Sequence, residues 1–244
     1  MNKKIKELRK KFIKYNIDGY VVPKKKIIID TDPGQDDAIA ILLALASPDK
    51  LDVLGITTVA GNVPLELTSK NARIVCELAG RDDLFVFAGC KTPIIRPLIT
   101  AEHVHGKTGL DGPVLPEPKM PLQDMNGVDF IIETLKVHEA NSITLCCLGP
   151  LTNIAVAIQK EPEILSKLKE IIMMAGAYFE VGNITPTAEF NIYVDPEAAQ
   201  IVLNSPIKKT LLPLDVTHKI LVTSDKIQEF KNFGSIVGTT VSEM

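Results

Sequence analysis

The sequence predicts an α/β fold: an open, mostly parallel sheet with helices on both faces. Six short apolar segments rich in β-branched residues alternate with five segments of helical periodicity, an order typical of βαβ units. The strand segments are almost continuously apolar, as expected of parallel strands buried on both faces. The 244 residues are 45% apolar and 23% charged, a balance that excludes collagen-like, coiled-coil and disordered chains.

The elements follow one another regularly along the chain. Strands are predicted at 27–29, 53–59, 84–87, 143–148, 171–174 and 210–214. Helices are predicted at 36–46, 65–79, 128–138, 151–159 and 196–203, several of them opened by Asp or Pro. The proline-rich stretch 92–125 interrupts this order and is too long for a simple connector, so we expect it to be functional.

Charged residues are distributed unevenly along the chain. Residues 1–26 carry ten Lys or Arg against two acidic residues, and the remainder carries seventeen against twenty-eight. An acidic body repels nucleic acid, so we expect no nucleic-acid partner. We interpret residues 1–23 as a basic preface that is a solvated amphipathic helix, a targeting arm or a segment foreign to the domain, and residues 24–244 as one domain.

The apolar segments and the cysteine spacing predict where in the cell the protein is located. No apolar run reaches the roughly 18 residues of a membrane span, and no hydrophobic signal core follows the lysine-rich start, so we expect no membrane partner. The four cysteines contain no C-x-x-C pair and match no zinc spacing. We therefore expect reduced thiols in the core of a cytoplasmic protein.

The densest chemical signal is a group of four carboxylates within eight residues, directly after the first strand: Asp30, Asp32, Asp36 and Asp37. Crowded carboxylates repel one another unless a cation neutralises them, and oxygen ligands suit a hard ion such as Ca²⁺ or Mg²⁺. A solvated turn with an Asp helix cap would explain Asp36 alone. The motif therefore predicts a metal site at this strand end.

A second polar cluster follows the strand that ends at Met174. It contains Asn183, Glu189 and Asn191, whose amide and carboxylate groups can pair with the vicinal hydroxyls of a sugar. Asp195, directly before Pro196, is typical of a helix N-cap and its first turn, so its role is predicted to be structural.

Four motifs together resemble a known family. The segments 30–38, 57–62, 148–153 and 188–191 strongly resemble the calcium-dependent nucleoside hydrolases of the inosine-uridine-preferring family, with likeness over residues 24–230. Segments 105–113 and 183–195 look most like the bacterial pyrimidine-specific members. The resemblance implies a Rossmann-like sheet and calcium-dependent hydrolysis of the N-glycosidic bond of uridine and cytidine, giving ribose and free base.

The resemblance also implies a role for each site residue. The calcium ligands would be Asp32, Asp37 and the backbone carbonyl of Leu148, and the catalytic residues Asp32 as the base, Asn62 and His105. The ribonucleoside would be bound by a set of polar side chains, and Asp30 would support the metal ligands. That substrate-binding set is Asp36, Asn62, Asn183, Glu189 and Asn191.

Two departures from the family keep other interpretations open. The sequence ends at Met244 before the His-Asp pair of the family's C-terminal segment, and residues 8–23 resemble the opening of Xaa-Pro aminopeptidases without that family's metal ligands. One alternative is a catalytically silent, truncated homologue that acts at most as a sugar-binding or interaction protein. A Mg²⁺-dependent phosphohydrolase is a weaker one, because no phosphate-binding glycine loop accompanies the aspartates. The resemblance implies a homodimer or homotetramer.

Overall fold

A computed structural model describes residues 23–244 of the chain. The basic preface, apart from Pro23, and the part of the chain that resembles aminopeptidases lie outside the described residues. Within the described part, no helix has the length and apolar character needed to cross a membrane.

Six parallel strands form one sheet in the order β3-β2-β1-β4-β5-β6. This confirms the predicted open sheet, and each strand lies at or within a few residues of its predicted position. The strands are β1 (Lys25–Thr31), β2 (Leu51–Thr58), β3 (Val86–Ala88), β4 (Ile143–Cys147), β5 (Leu168–Met174) and β6 (Lys209–Leu212).

All five predicted helices are present, and the structure has further helices for which the sequence analysis makes no prediction. The helices are α1 (Gln35–Leu45), α2 (Leu65–Leu78), α3 (Glu102–His105), α4 (Gly127–Val137), α5 (Thr152–Lys160), α6 (Phe190–Val194), α7 (Pro196–Asn204), α8 (Leu214–Thr217), α9 (Ser224–Asn232) and α10 (Ile236–Glu243), with a 3₁₀ turn at Pro162–Ser166. The long stretch 92–125 therefore carries one short helix, α3.

Side chains alternate along the strands and create two cores, one on each face of the sheet. Ile28 packs with the apolar faces of α4, α5 and α7 on one side, whereas Ile27 and Ile29 pack with α1 and α2 on the other. All four cysteines are free thiols; Cys76 and Cys147 are buried, and Cys90 and Cys146 are half-buried. The predicted thiols in the core are confirmed.

The sheet has a topological switch point between its two central strands, β1 and β4. The chain builds outward through β2 and β3 on one side of β1, then returns to place β4, β5 and β6 on the other. At such a switch point the loops after the two central strands separate, leaving a crevice at the carboxyl edge of the sheet. The four-carboxylate motif follows β1, and Leu148 follows β4.

Candidate active site

The turn between β1 and α1 is closed by one of its own carboxylates. Asp37 reaches back from the first turn of α1, and its Oδ2 accepts a hydrogen bond from the Gly34 N–H at 3.1 Å. Its Oδ1 accepts another from the Thr31 hydroxyl at 2.6 Å. Asp37 is therefore buried under the turn, whereas Asp36, one residue earlier, is exposed.

Asp32 is buried between two glycines. Its Oδ2 accepts a hydrogen bond from the Asn62 N–H at 2.8 Å, but its Oδ1 has no hydrogen-bond partner among the described residues. A Cβ atom on Gly61 would lie 2.1 Å from Oδ2, and one on Gly149 would lie 2.3 Å from Oδ1. Only glycine at both positions leaves room for this carboxylate.

Asp30 lies one layer deeper, within β1. Its Oδ1 accepts hydrogen bonds from the Thr57 hydroxyl at 2.5 Å and from Asn153 Nδ2 at 2.7 Å. Asn153 also donates to the backbone carbonyl of Thr58, so it ties β1, β2 and the start of α5 together. Asp30 thus fixes the ends of the strands that carry the other site residues.

Burial raises the pKa of all three buried carboxyl groups. Burial raises the pKa of Asp30 to about 6, and the hydrogen bonds from Asn153 and Thr57 offset part of this increase. Burial and then repulsion by Asp36 raise the pKa of Asp37 to about 7. Burial and then the neighbouring Asp37 charge raise the pKa of Asp32 well above its usual range. The cluster therefore lacks positive charge.

The donor set fits a hard cation. Among residues 23–244, no three or more His, Cys, Asp or Glu side chains form a group that could hold a metal ion, so carboxylates alone do not complete a coordination sphere. The unpartnered Oδ1 of Asp32 and the nearby Asp37 nevertheless supply buried anionic oxygens, which a cation would stabilise. Carbonyl and amide oxygens at the same strand ends can complete a site of the calcium type.

An open cleft with a cavity volume of about 110 Å³ lies beside this cluster. Asp30 and Asp32, which are both buried, are not among the residues that line it. The polar residues predicted to bind substrate line it together with Leu148 and residues of α3. The lining includes Asp36, Asp37, Asn62, His103, His105, Leu148, Asn183, Glu189 and Asn191.

The three residues of the second polar cluster, Asn183, Glu189 and Asn191, also hold their own loop in place. Glu189 caps α6 by accepting from the Asn191 N–H at 2.8 Å, and it accepts from the Gly176 N–H at 2.9 Å. Asn191 Nδ2 donates to the Leu148 carbonyl at 2.8 Å and to the Met174 carbonyl at 3.1 Å. Asn183 Oδ1 accepts from the Phe190 N–H at 2.9 Å. The remaining amide atoms, Asn183 Nδ2 and Asn191 Oδ1, make no hydrogen bond within the described part of the chain.

The histidines divide between the cleft and the surface. His105, at the end of α3, lines the cleft beside His103, and burial lowers the pKa of its imidazole. His138 Nδ1 contacts the Thr134 carbonyl at the end of α4, and His218 lies 3.6 Å from Glu180. Asp195 caps α7 through the Ala198 N–H, as predicted.

Sequence reasoning missed the residues that position the predicted ones. Asn153, Gly61 and Gly149 each lie within a motif that the family resemblance used, yet no role was inferred for them. Their spacing to Asp30 and Asp32 along the chain is large, so only the strand order brings them together. An amide in the first turn of the helix that follows a strand, as at Asn153, is the signal that could have identified a buried partner for Asp30.

Comparisons with known proteins agree with this geometry. The profile of the family described as inosine-uridine preferring nucleoside hydrolase matches residues 27–244. An uncharacterised protein of Schizosaccharomyces pombe is 54% identical over 217 residues, which are 89% of this chain and 70% of that protein. A protein of Escherichia fergusonii named pyrimidine-specific ribonucleoside hydrolase RihA is 46% identical over 218 residues, 89% of this chain and 69% of its own length.

Two solved structures share the fold. A plant nucleoside hydrolase, PpNRh1, superposes with a TM-score of 0.84 at 38% identity, covering 90% of this chain and 69% of the plant chain. A purine-preferring ribonucleoside hydrolase from Gardnerella vaginalis superposes with a TM-score of 0.86 at 32% identity, covering 90% and 70%. With the carboxylate cluster at the switch point and the amide-lined cleft above it, these matches establish that the chain belongs to the inosine-uridine preferring nucleoside hydrolase family of enzymes.

Proposed function

We propose that this chain hydrolyses the N-glycosidic bond of pyrimidine ribonucleosides, releasing ribose and the free base, with Ca²⁺ as cofactor. One observation carries the proposal: a buried oxygen of Asp32 has no hydrogen-bond partner among the described residues, and the neighbouring carboxylate of Asp37 lines a cleft that also carries amide side chains. Such a site can neutralise its charge with a cation and bind a polyhydroxylated ligand directly above it.

Asp32, Asp37 and the Leu148 carbonyl would hold the cation. The Leu148 carbonyl already accepts one hydrogen bond from Asn191, and its second lone pair is available. When bound, Ca²⁺ would orient the attacking water and the sugar hydroxyls together. The Asn62 side chain lines the cleft. Its amide donates hydrogen bonds to the Asp32 backbone carbonyl and to the Asp37 carboxylate, so it fixes these two residues relative to each other.

Asp32 accepts the proton of the attacking water. The water oxygen bonds to the anomeric carbon of ribose while the bond from that carbon to the base nitrogen breaks, and the electron pair of that bond leaves with the base. Burial raises the pKa of the Asp32 carboxyl, which makes its carboxylate a stronger base than an ordinary aspartate. His105, which lines the cleft, would face the departing base.

The ribose hydroxyls would contact both sides of the cleft. Asp36 and Asn62 would bind the 2′ and 3′ hydroxyls, and Asn183, Glu189 and Asn191 would bind the 3′ and 5′ hydroxyls. The free Nδ2 of Asn183 donates and the free Oδ1 of Asn191 accepts, which suits hydroxyl groups that do both. Asn191 is buried, so a ligand lacking the hydroxyl that pairs with it would leave a buried polar group unpaired, at a cost of ~1–3 kcal/mol.

The proposed preference for pyrimidine nucleosides rests on sequence similarity to other proteins. The relative named pyrimidine-specific is 46% identical to this chain, whereas the structure named purine-preferring is 32% identical. The α3 region around His105, which would face the base, also resembles the pyrimidine-specific members. The cytoplasmic location and the homodimeric or homotetrameric state remain predictions.

Ribose release from uridine, cytidine and inosine, with and without a chelator, tests the proposal. We expect the two pyrimidine nucleosides to be turned over faster than inosine, and all turnover to cease in chelator and return with Ca²⁺. We expect 2′-deoxyuridine to be a poor substrate. Equal turnover of uridine and 2′-deoxyuridine would refute the sugar contacts. Binding of uridine without any release of ribose would assign the chain to the catalytically silent alternative, and phosphate release from a nucleotide to the phosphohydrolase alternative.

A further inference from the structure

Gln35, the first residue of α1, contacts His105 at both its backbone and its ring. The Gln35 Nε2 atom lies 3.3 Å from the His105 carbonyl oxygen and 3.4 Å from the Asp111 carbonyl oxygen. The Gln35 Oε1 atom lies 2.6 Å from Nδ1 of the His105 ring. One side chain thus connects the start of α1 with the end of α3 and the loop that follows it.

The orientation of this amide follows from its partners. Backbone carbonyls only accept hydrogen bonds, so the two carbonyls must face the NH₂ group of Gln35. Oε1 then faces the ring, and because Oε1 has no proton to donate, Nδ1 of His105 must carry one. The contact therefore selects the tautomer of neutral His105 in which Nδ1 is protonated and Nε2 is bare.

The ring is also held by packing. It lies against Gly34, where a Cβ atom would approach His105 Nδ1 to 2.5 Å and Cε1 to 2.7 Å. Within residues 23–244 the Nε2 atom makes no hydrogen bond, and the His105 side chain lines the cleft. With Nδ1 occupied by Gln35, Nε2 is the nitrogen through which the ring can bind a ligand.

We propose that Gln35 is a positioning residue that orients His105, so that the imidazole exchanges hydrogen bonds and protons with the departing base only through Nε2. This inference rests on the proposed function, because it assigns a role in the same reaction. When the glycosidic bond breaks, the base nitrogen gains an electron pair and requires a hydrogen-bond donor or a proton. A protonated His105 supplies it from Nε2, and the ring is left in the tautomer that Gln35 holds.

Two substitutions separate the contacts. Gln35→Leu has a similar size but loses all three hydrogen bonds. Gln35→Glu keeps an acceptor for the Nδ1–H group and loses the two donors to the carbonyls. Gln200→Leu, on the exposed face of α7, is the matched control for replacing a glutamine by leucine on a helix.

Two-bond ¹⁵N–¹H correlation spectra of the imidazole rings provide a readout that does not depend on activity. They are recorded on the full chain where the rings are neutral, with the His105 signals assigned by their loss in His105→Gln. We expect the Nδ1–H tautomer in the wild type, in Gln35→Glu and in Gln200→Leu, and a shift toward the commoner Nε2–H tautomer in Gln35→Leu.

Steady-state ribose release from uridine is the second readout. We expect Gln35→Leu to lower kcat by about 10- to 100-fold, the range for a misplaced catalytic group, and to change KM by less than about 3-fold. Gln35→Glu should recover part of that loss, and Gln200→Leu should match the wild type. An unchanged His105 tautomer in Gln35→Leu would overturn the proposal, as would a kcat within about 2-fold of the wild type. If the wild type releases no ribose, the proposed function fails, and the tautomer spectra alone decide whether Gln35 orients His105.

Discussion

Alanine at Gly149 would test whether the site is built around one fixed position of the Asp32 carboxylate. The new Cβ would lie 2.3 Å from Asp32 Oδ1, 2.7 Å from its Cγ and 3.2 Å from its backbone nitrogen. Gly149 is not among the glycines with positive φ, so alanine introduces no backbone strain of its own. The effect of the substitution therefore reports on the collision with Asp32.

The expected magnitude follows from the overlap. Non-bonded heavy atoms pack at about 3.5 Å or more, so the carboxylate must move by about 1 Å or the loop after β4 must shift. Overpacking of this kind costs about 1–3 kcal/mol. In a domain of this size each kcal/mol lowers the melting temperature by roughly 2–4 °C, so a decrease of about 4–8 °C is expected for about 2 kcal/mol.

Thermal melts of four variants, each with and without Ca²⁺, measure this effect. Gly149→Ala should lower the melting temperature and also reduce the shift that Ca²⁺ produces, because Oδ1 is displaced. In an Asp32→Ala background most of the collision disappears, so the two substitutions should show a coupling of about 1 kcal/mol or more. Gly80→Ala is the control: Gly80 has a φ of +66° and open space around it, so alanine costs backbone strain without affecting the calcium shift.

The same loss of melting temperature in the wild-type and Asp32→Ala backgrounds would refute the reasoning. It would mean that alanine at position 149 disturbs the loop after β4 directly and that Asp32 is free to move. A calcium shift in Gly149→Ala equal to that of the wild type would refute the placement of Asp32 Oδ1 in the cation site.

Three further predictions concern the carboxylates. Ca²⁺ at millimolar concentration should raise the melting temperature, because a ligand that binds only the folded state stabilises it; no thermal or calorimetric signal would exclude the site. Asp32→Asn should abolish ribose release, whereas Asp52→Asn, on the exposed part of β2, should leave it unchanged. The raised pKa values of Asp30, about 6, and Asp37, about 7, mean that the folded chain holds protons that the unfolded chain has released. The melting temperature of the metal-free chain should therefore fall as pH rises from about 4 to 7, and a rise over that range would contradict the burial of these groups.

The sheet could be predicted because its strands are buried on both faces. Continuous β-branched segments such as Ile27–Ile29 have no polar face, and this distinguishes them from the amphipathic helices between them. The short helices α3 and α6 escaped prediction because four or five residues are too few to establish a helical period. They form because tertiary contacts and the Glu189 cap hold them in place.

Polar residues that follow two strand ends, such as Asp37 and Asn191, line one cleft, as a parallel sheet predicts, but their individual contacts could not be predicted. The grouping of Asp32, Asp37 and the Leu148 carbonyl as cation ligands comes from the family resemblance and stays a prediction. Nothing in the sequence indicates that Asn191 donates to two backbone carbonyls, or that Gln35 spans from α1 to α3. Those contacts depend on side-chain direction and on loop paths, which a residue pattern does not specify.

The position of β1 in the sheet has a consequence for the growing chain during synthesis. Of the six strands that the structure describes, β1 is synthesised first but lies at the centre, and one of its two edges stays open until β4 has been made. Asn153, which donates a hydrogen bond to Asp30, lies 123 residues further along. Until then the nascent chain exposes an apolar strand edge, a state prone to aggregation and slow to resolve. The proposed cation site combines Asp32 with the Leu148 carbonyl after β4, so it can form only once β4 has docked.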